Sequence, residues 1–222
     1  MGQQLALLAR QLQSQQEPQA VMDHLVAAAV AIVPGAEEAT ISRVQARSHV
    51  VSQASTGARA RRIDWLQAHT GQGPCLDAMY EQQTVRVRDL AGERRWPRLA
   101  ACAREVGVGS MLCFQLYVIG ENLGALNLVA GAVDAFDDRC EDIGLLVAAH
   151  AGIAVADAQQ LQQARSAVGS AELIGRATGI LMERYQIDAQ QARAQLVQAA
   201  GSSARSLHQV AVELIDTGRL SR

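Results

Sequence analysis

Four arginines in the last quarter of the chain, Arg176, Arg184, Arg193 and Arg205, carry the residue chemistry best suited to recognising phosphate. A guanidinium is planar and permanently charged, so it grips phosphate through paired N–H groups and also stacks on exposed bases. Thr178, Ser206 and His208 lie in the same stretch and add hydrogen-bonding groups. A second set falls in the middle of the chain: Trp65, His69, Gln72, Cys75, Trp96, Cys113, Phe114 and Asn127. Rings, amides and thiols of this kind line cavities that hold small molecules. For Trp65 and Trp96 plain packing outweighs ligand stacking, because aromatics serve most often as core.

Covalent and metal chemistry have less support. Cys75 follows Gly71-Gln-Gly-Pro74 at an expected helix start, where the dipole lowers a thiol's pKa, with Cys102 and Cys113 as potential resolving thiols. A buried, inert cysteine is the commoner state. Cys75, Cys102, Cys113 and Cys140 show no CxxC spacing and no paired histidines, which argues against zinc. His69 and His150 are of a type that ligates haem iron, yet a lone histidine is usually structural. Gly71-x-Gly73 lacks the third glycine and preceding strand of a dinucleotide loop. Asp137-Asp138 and Glu141-Asp142 suit the start of a helix better than a metal. No catalytic triad order or paired-carboxylate motif is present, so no enzyme is expected and no cofactor is identified.

These groups need a scaffold, and the patterning supplies one. A narrow leucine stripe at Leu5, Leu8 and Leu12 predicts a helix over 3–15 fit for a partner helix. Pro18 opens a second helix to Val33, ended by Pro34-Gly35. Short strands follow at 39–44 and 49–54, then helices at 58–70 and 75–82 and a strand at 84–87. Trp96-Pro97 starts a helix to Val106, and 111–118 with 123–130 forms a hairpin turning at 119–122. Phe136-Asp137-Asp138 caps a long helix to about Gln163. Strands and helices in this order predict an α+β fold, an antiparallel sheet with packed helices.

In the tail, a helix over 166–185 is expected, either separate from the preceding one or continuous with it. Asp188 with Gln191 makes a capping box for the next, and Ser202 or Ser203 caps the last, which ends at Gly218. Ile174, Ala177, Leu181, Ala192, Leu196, Leu207, Val210, Ala211 and Leu214 form the expected core, with Ala177 and Gly179 marking close helix packing.

Two family resemblances lie on these residues. Gly73-Pro-Cys-Leu-Asp-Ala78, Val85–Leu90, Arg95-Trp-Pro97, Gly107–Leu112, Leu123–Leu128 and Ala135–Asp138 resemble a GAF domain of the actinobacterial type found joined to ANTAR. Ile174–Met182 and the helices after it resemble the ANTAR module, a three-helix bundle that in known regulators binds RNA hairpins and prevents transcription termination. The implied organisation is an N-terminal helix at 1–16, a GAF sensory domain at 17–163 and an ANTAR domain at 164–222. The implied function is signal-responsive antitermination: the GAF domain senses a small ligand or redox state and controls a dimeric ANTAR module on dual-hairpin RNA.

Several positions depart from the ANTAR pattern. Thr178 stands where lysine is usual and Ala171 where arginine is common. Ala204, Ser206 and His208 replace frequent Asn, Lys and Arg, and Arg193 falls where an aromatic often packs. Two alternatives therefore stay open: a dimeric sensory or scaffold protein whose degenerate ANTAR domain binds no RNA, and, remotely, a thiol-dependent GAF-fold reductase.

Composition sets the outer limits. The chain has 222 residues, 49% of them hydrophobic, enough for two domains with real cores. All 20 basic residues are arginine and the net charge is −2, so no global basic field advertises nucleic acid. Residues 166–222 carry 6 arginines against 5 acids, a weak cationic excess for phosphate binding. The N-terminus lacks a signal-peptide pattern, no apolar run is long enough to span a bilayer, and a cytoplasmic, membrane-free homodimer is expected.

Overall fold

The computed structural model describes residues 10, 12, 17–45, 49–80, 83–118 and 121–220. Apart from Arg10 and Leu12, the expected helix over 3–15 lies outside them; Leu12 is buried in the apolar core. The described chain divides into two compact units, 1–160 and 161–222.

The first unit is α+β. Its elements are α1 (Pro18–Ile32), β1 (Glu38–Gln45), β2 (His49–Ser55), α2 (Ala58–Thr70), α3 (Pro74–Tyr80), β3 (Thr84–Val87), α4 (Pro97–Val106), β4 (Ser110–Val118) and β5 (Glu121–Ala130). The helix α5 (Asp138–Tyr185) starts in this unit and continues without interruption into the second. The five strands form one antiparallel sheet in the order β2-β1-β5-β4-β3. Element boundaries follow local chemistry. Pro18 and Pro97 open α1 and α4, where a missing N–H costs nothing. Gly71 and Gly107 close α2 and α4 in the left-handed conformation that glycine adopts freely. Asp137 accepts the Cys140 N–H at 2.9 Å and so caps α5. Strands β4 and β5 reach to Val118 and from Glu121, a shorter hairpin connection than the expected 119–122.

Side chains alternate across the sheet, so each strand feeds two different layers. On one face Ala39, Ile41, Leu112, Phe114, Leu116, Leu126 and Leu128 pack beneath α1 and the first turns of α5. Gly144 permits that approach: a Cβ there would lie 2.2 Å from Phe114 Cζ. On the other face Val85, Val87, Met111, Cys113 and Val129 pack under α2, α3 and α4 through Ile63, Leu66, Ala78, Leu99 and Ala103.

The second unit contains the end of α5, then α6 (Ala189–Ser203) and α7 (Leu207–Thr217). Ala177, Leu181, Ala192, Leu196, Ala199, Val210, Ala211 and Leu214 are its buried core, with Ile174 and Leu207 partly buried against it. Asp188 and Gln191 form the expected capping box on α6, and Gly218 closes α7. The cap of α7 is Ser206, not Ser202 or Ser203, because α6 extends through Ser203. Ser206 accepts the Gln209 N–H while its own N–H reaches Gln209 Oε1 at 2.9 Å.

Candidate functional site

The face of the sheet under α2 to α4 is apolar except at its centre, where polar side chains converge. Thr40 and Ser42 come from β1 and Asn127 from β5, held opposite one another by the pairing of Thr40 with Asn127. Helix α2 lowers Asp64 and Gln67 onto them, and α3 adds Cys75. All six are buried, with Asp64 only 1% exposed. Ser42 donates its hydroxyl to Asp64 Oδ2. Asn127 Nδ2 lies 3.1 Å from Asp64 Oδ1, 3.1 Å from Thr40 Oγ1 and 3.4 Å from Cys75 Sγ. Gln67 Oε1 accepts the Cys75 N–H at 2.8 Å, which ties α3 to the cluster.

Two features make this cluster more than a satisfied core network. Among the described residues no arginine pairs with Asp64, so burial pushes its carboxyl up to about 6, while hydrogen bonds from Ser42, Thr40, Ser52 and Asn127 pull the other way. Asn127 Oδ1 is buried and accepts no hydrogen bond among the described residues. A cleft of about 340 Å³ between α2 and β2 leads to Asp64. Val50, Val51, Ser52, Arg61, Trp65, Ala68 and His69 line the rest of it.

The expected cavity residues separate into three groups. Cys75 and Asn127 belong to the cluster, and Cys113 is buried on the same face. Trp65 and His69 stand at the cleft, stacked with ring centroids 4.4 Å apart, and Arg62 covers Trp65. The remaining three lie elsewhere. Gln72 binds the Arg98 N–H at 3.3 Å and fastens the loop after α2 to α4. Trp96 is a packed wedge whose Nε1 donates to Asp77 at 3.1 Å. Phe114 faces α5, because it follows Cys113 on a strand and so points to the opposite side of the sheet.

Thr40, Ser42, Asp64 and Gln67 were not among the expected site residues. Their signal in the sequence was the pair of hydroxyls at alternate positions of a strand whose other face is Ala39 and Ile41. Burial also changes the thiol chemistry. Cys75 and Cys113 are pushed well above the ordinary thiol range by desolvation, so the helix start does not activate Cys75. His150 is bonded to the Leu146 carbonyl of its own helix at 2.7 Å. No group of three or more His, Cys, Asp or Glu side chains suited to a metal gathers among the described residues.

In the second unit, α5 and α6 border an open groove of about 550 Å³. Its floor is small: Ala167, Ala171, Gly175 and Gly179 recur every four residues along α5. Ser170, Ile174, Thr178 and Met182 line the rest of it from α5, and Ala189 and Arg193 from α6. A Cβ at Gly175 or Gly179 would meet nothing within 4 Å, so Gly179 does not serve close packing inside the bundle; Ala177, fully buried, does.

The tail arginines occupy different places. Arg193 lines the groove. Arg176 is exposed on α5 outside the groove lining and has no ion-pair partner among the described residues. Arg184 donates to the Gly218 carbonyl and so fastens the end of α7. Arg205 is paired with Glu213 at 2.5 Å and with Ser203 at 3.1 Å. Thr178 returns its hydroxyl to the Ile174 carbonyl at 2.7 Å, Ser206 is the cap of α7, and His208 meets Ser170 at 3.2 Å beside the groove.

No helix among the described residues is long and apolar enough to cross a membrane. Family profiles for a GAF domain and an ANTAR domain match residues 15–156 and 162–215. No curated protein matches the chain. Among solved structures, the GAF domain of an Acinetobacter phosphoenolpyruvate-protein phosphotransferase is 13% identical at a TM-score of 0.54, over 72% of this chain and 96% of that one. The free methionine-R-sulfoxide reductase of Neisseria meningitidis, solved with its substrate, is 16% identical at 0.54, over 70% and 88%. The chromophore-binding domain of a bacteriophytochrome from R. palustris is 8% identical at 0.56, over 72% and 61%. At these identities the likeness is one of fold. GAF and ANTAR are regulatory domains, and their pairing supports a signal-responsive regulator. The chain belongs to the GAF-domain family and joins its GAF domain to a C-terminal ANTAR domain.

Proposed function

We propose that this protein is an RNA-binding transcription antitermination regulator, acting as a cytoplasmic homodimer whose GAF domain senses a small ligand. The observation that carries the RNA part is the groove of the ANTAR unit. Glycines with open space beside them let a partner approach the α5 backbone, while Arg193 and Thr178 supply charge and hydrogen bonding at its rim. Unstacked bases of a hairpin loop stack on guanidinium planes, and an open groove beside Arg193 leaves room for them. Arg176 adds a free cation for phosphate.

The sensing part rests on the polar cluster and its cleft. A ligand that engages Asp64 and Asn127 would shift β5 and its neighbour β4. Because Cys113 and Phe114 are consecutive, movement of β4 on the cleft side is felt at Gly144 of α5 on the other. Helix α5 then runs on into the ANTAR unit. For the homodimer, Leu146 and Ile153 lie seven residues apart on α5 and are 43% and 58% exposed, with Leu145 beside them at 41%. An apolar stripe at heptad spacing, exposed among the described residues, fits a partner helix. A monomer in analytical ultracentrifugation at micromolar protein would remove that arrangement.

A regulator without RNA is favoured by one specific observation: Arg205 and Arg184 are engaged inside their own bundle. Filter binding against dual-hairpin RNA at two salt concentrations decides between the two. Salt-sensitive binding that falls when Arg176 and Arg193 are both changed to alanine supports antitermination; no binding even at low salt supports the silent scaffold. Thiol-dependent reduction is opposed by the buried, high-pKa Cys75 and Cys113.

A further inference from the structure

We propose that the cleft over Asp64 binds a small organic ammonium ion, with its N–H groups on the Asp64 carboxylate and its apolar body against Trp65. This inference rests on the GAF domain being the sensory part and names the chemical class it senses.

Asp64 and Ser52 line the cleft directly, and Thr40, Ser42 and Asn127 stand behind Asp64 in a buried cluster rich in acceptors. Asp64 brings a carboxylate with no arginine partner among the described residues, and the Thr40, Ser42 and Ser52 hydroxyls surround it. Asn127 already turns its amide nitrogen to the carboxylate, which leaves its buried Oδ1 without a donor among the described residues. A ligand with several N–H groups complements such a set, whereas an anion would place two negative charges together in a medium that screens them poorly. The cleft, at about 340 Å³, stands at the small end of ligand pockets. Its walls are Val50, Val51, Ala68 and the Trp65–His69 stack, which suit a compact apolar or aromatic body and the face of a cation.

Other charges near the site do not oppose this. Arg61 also lines the cleft but is exposed, so water screens its charge, while the buried Asp64 charge escapes that screening. His69 stands at the exposed wall on α2, Cys75 faces Asp64 from α3, and Cys113 lies beyond it on β4. Among the described side chains, strands β1, β2 and β5 bring Thr40, Ser42, Ser52 and Asn127 to Asp64, and none of these titrates. Asp64 carries the penalty of a buried carboxylate, and an arriving ammonium relieves it. Near pH 6 the cation displaces a proton from Asp64, so binding releases protons there and weakens at lower pH.

Isothermal titration of the full chain with phenethylamine, phenethyl alcohol and 3-phenylpropionate tests the class. The amine is expected to bind at pH 7.5 at least about tenfold more tightly than the isosteric alcohol, and Asp64→Asn to remove that preference. Trp65→Ala, at a 46% exposed position, is expected to weaken the amine while leaving the circular dichroism spectrum unchanged. Titrations in two buffers of different ionisation enthalpy at pH 6 are expected to show proton release. Equal binding of amine and alcohol, amine binding untouched by Asp64→Asn, or no amine binding overturns the inference. Binding of 3-phenylpropionate alone rejects the class yet leaves a sensing cleft. Amine binding that never alters RNA affinity rejects the sensory reading and keeps the class.

Discussion

The two faces of the GAF sheet follow opposite rules. Under α1 and α5 the layer is a large apolar cluster whose polar members, Ser110 and Arg86, are satisfied by the Ala132 carbonyl and by Asp138, and Phe114 fills the space that Gly144 leaves. Under α2 to α4 the apolar layer is interrupted by Asp64, Asn127, Thr40, Ser42 and Gln67, and one amide oxygen has no partner among the described residues. A protein that needed only stability gains nothing from burying an unpaired carboxylate, because desolvation exceeds what neutral hydrogen bonds return. The first face holds the domain together; in the proposed reading the second keeps binding energy in reserve for a ligand. Local rule-breaking of this sort marks functional sites.

The sharpest way to test that contrast is to damage each face in turn. Phe114→Ala removes a fully buried ring from the structural face and is expected to cost about 3–5 kcal/mol in urea denaturation. Amine binding by whatever fraction remains folded should be unchanged. Asp64→Asn acts in the other direction. The native carboxyl titrates at about 6 against an ordinary value of 3.8, so at pH 7.5 its ionisation destabilises the folded state by about 3 kcal/mol. That penalty is fully present above the native value and fades as pH falls toward the unfolded one. Wild-type protein should therefore gain stability from Asp64 between pH 7.5 and 4, and Asp64→Asn should be more stable at pH 7.5 and lose that pH dependence. Urea midpoints across this range decide it; a variant less stable at pH 7.5 would make Asp64 a structural residue.

Smaller effects separate function from packing in the ANTAR unit. Arg193→Ala should weaken RNA binding and lower the log–log salt slope by about 1, while stability moves within about 0.5 kcal/mol. Gly179→Ala should stabilise the bundle by up to about 1 kcal/mol, since the new methyl meets open space on a helix, yet should weaken RNA binding by filling the groove. A stabilised variant with unchanged RNA affinity would show that the groove is not the contact surface.

Much of the scaffold was legible because local rules sufficed. Pro18, Pro97, Gly71, Gly218 and the Asp188–Gln191 box fix ends of helices through their own backbone needs. The site was legible only in part. The residue types single out Cys75 and Asn127 of the polar cluster but not Asp64 and Ser42, because α2 and β1 meet through tertiary packing that no periodicity encodes. Phe114 was placed with them although the alternation after Cys113 puts it on the other face. In the tail, the types of Arg184 and Arg205 suggested contacts, while their partners, Gly218 and Glu213, come from helices whose approach the spacing does not specify. Gly179 misled for a related reason: a missing side chain signals close approach without saying whether the neighbour is internal.

Transcription in vitro across a terminator preceded by two hairpins measures the central claim most directly. Adding the full chain is expected to raise read-through in a saturable way, and the doubly substituted Arg176→Ala, Arg193→Ala protein is expected to lose that activity while remaining folded. Read-through that stays at the protein-free level at saturating wild-type protein, on templates whose hairpins it binds, would contradict the account.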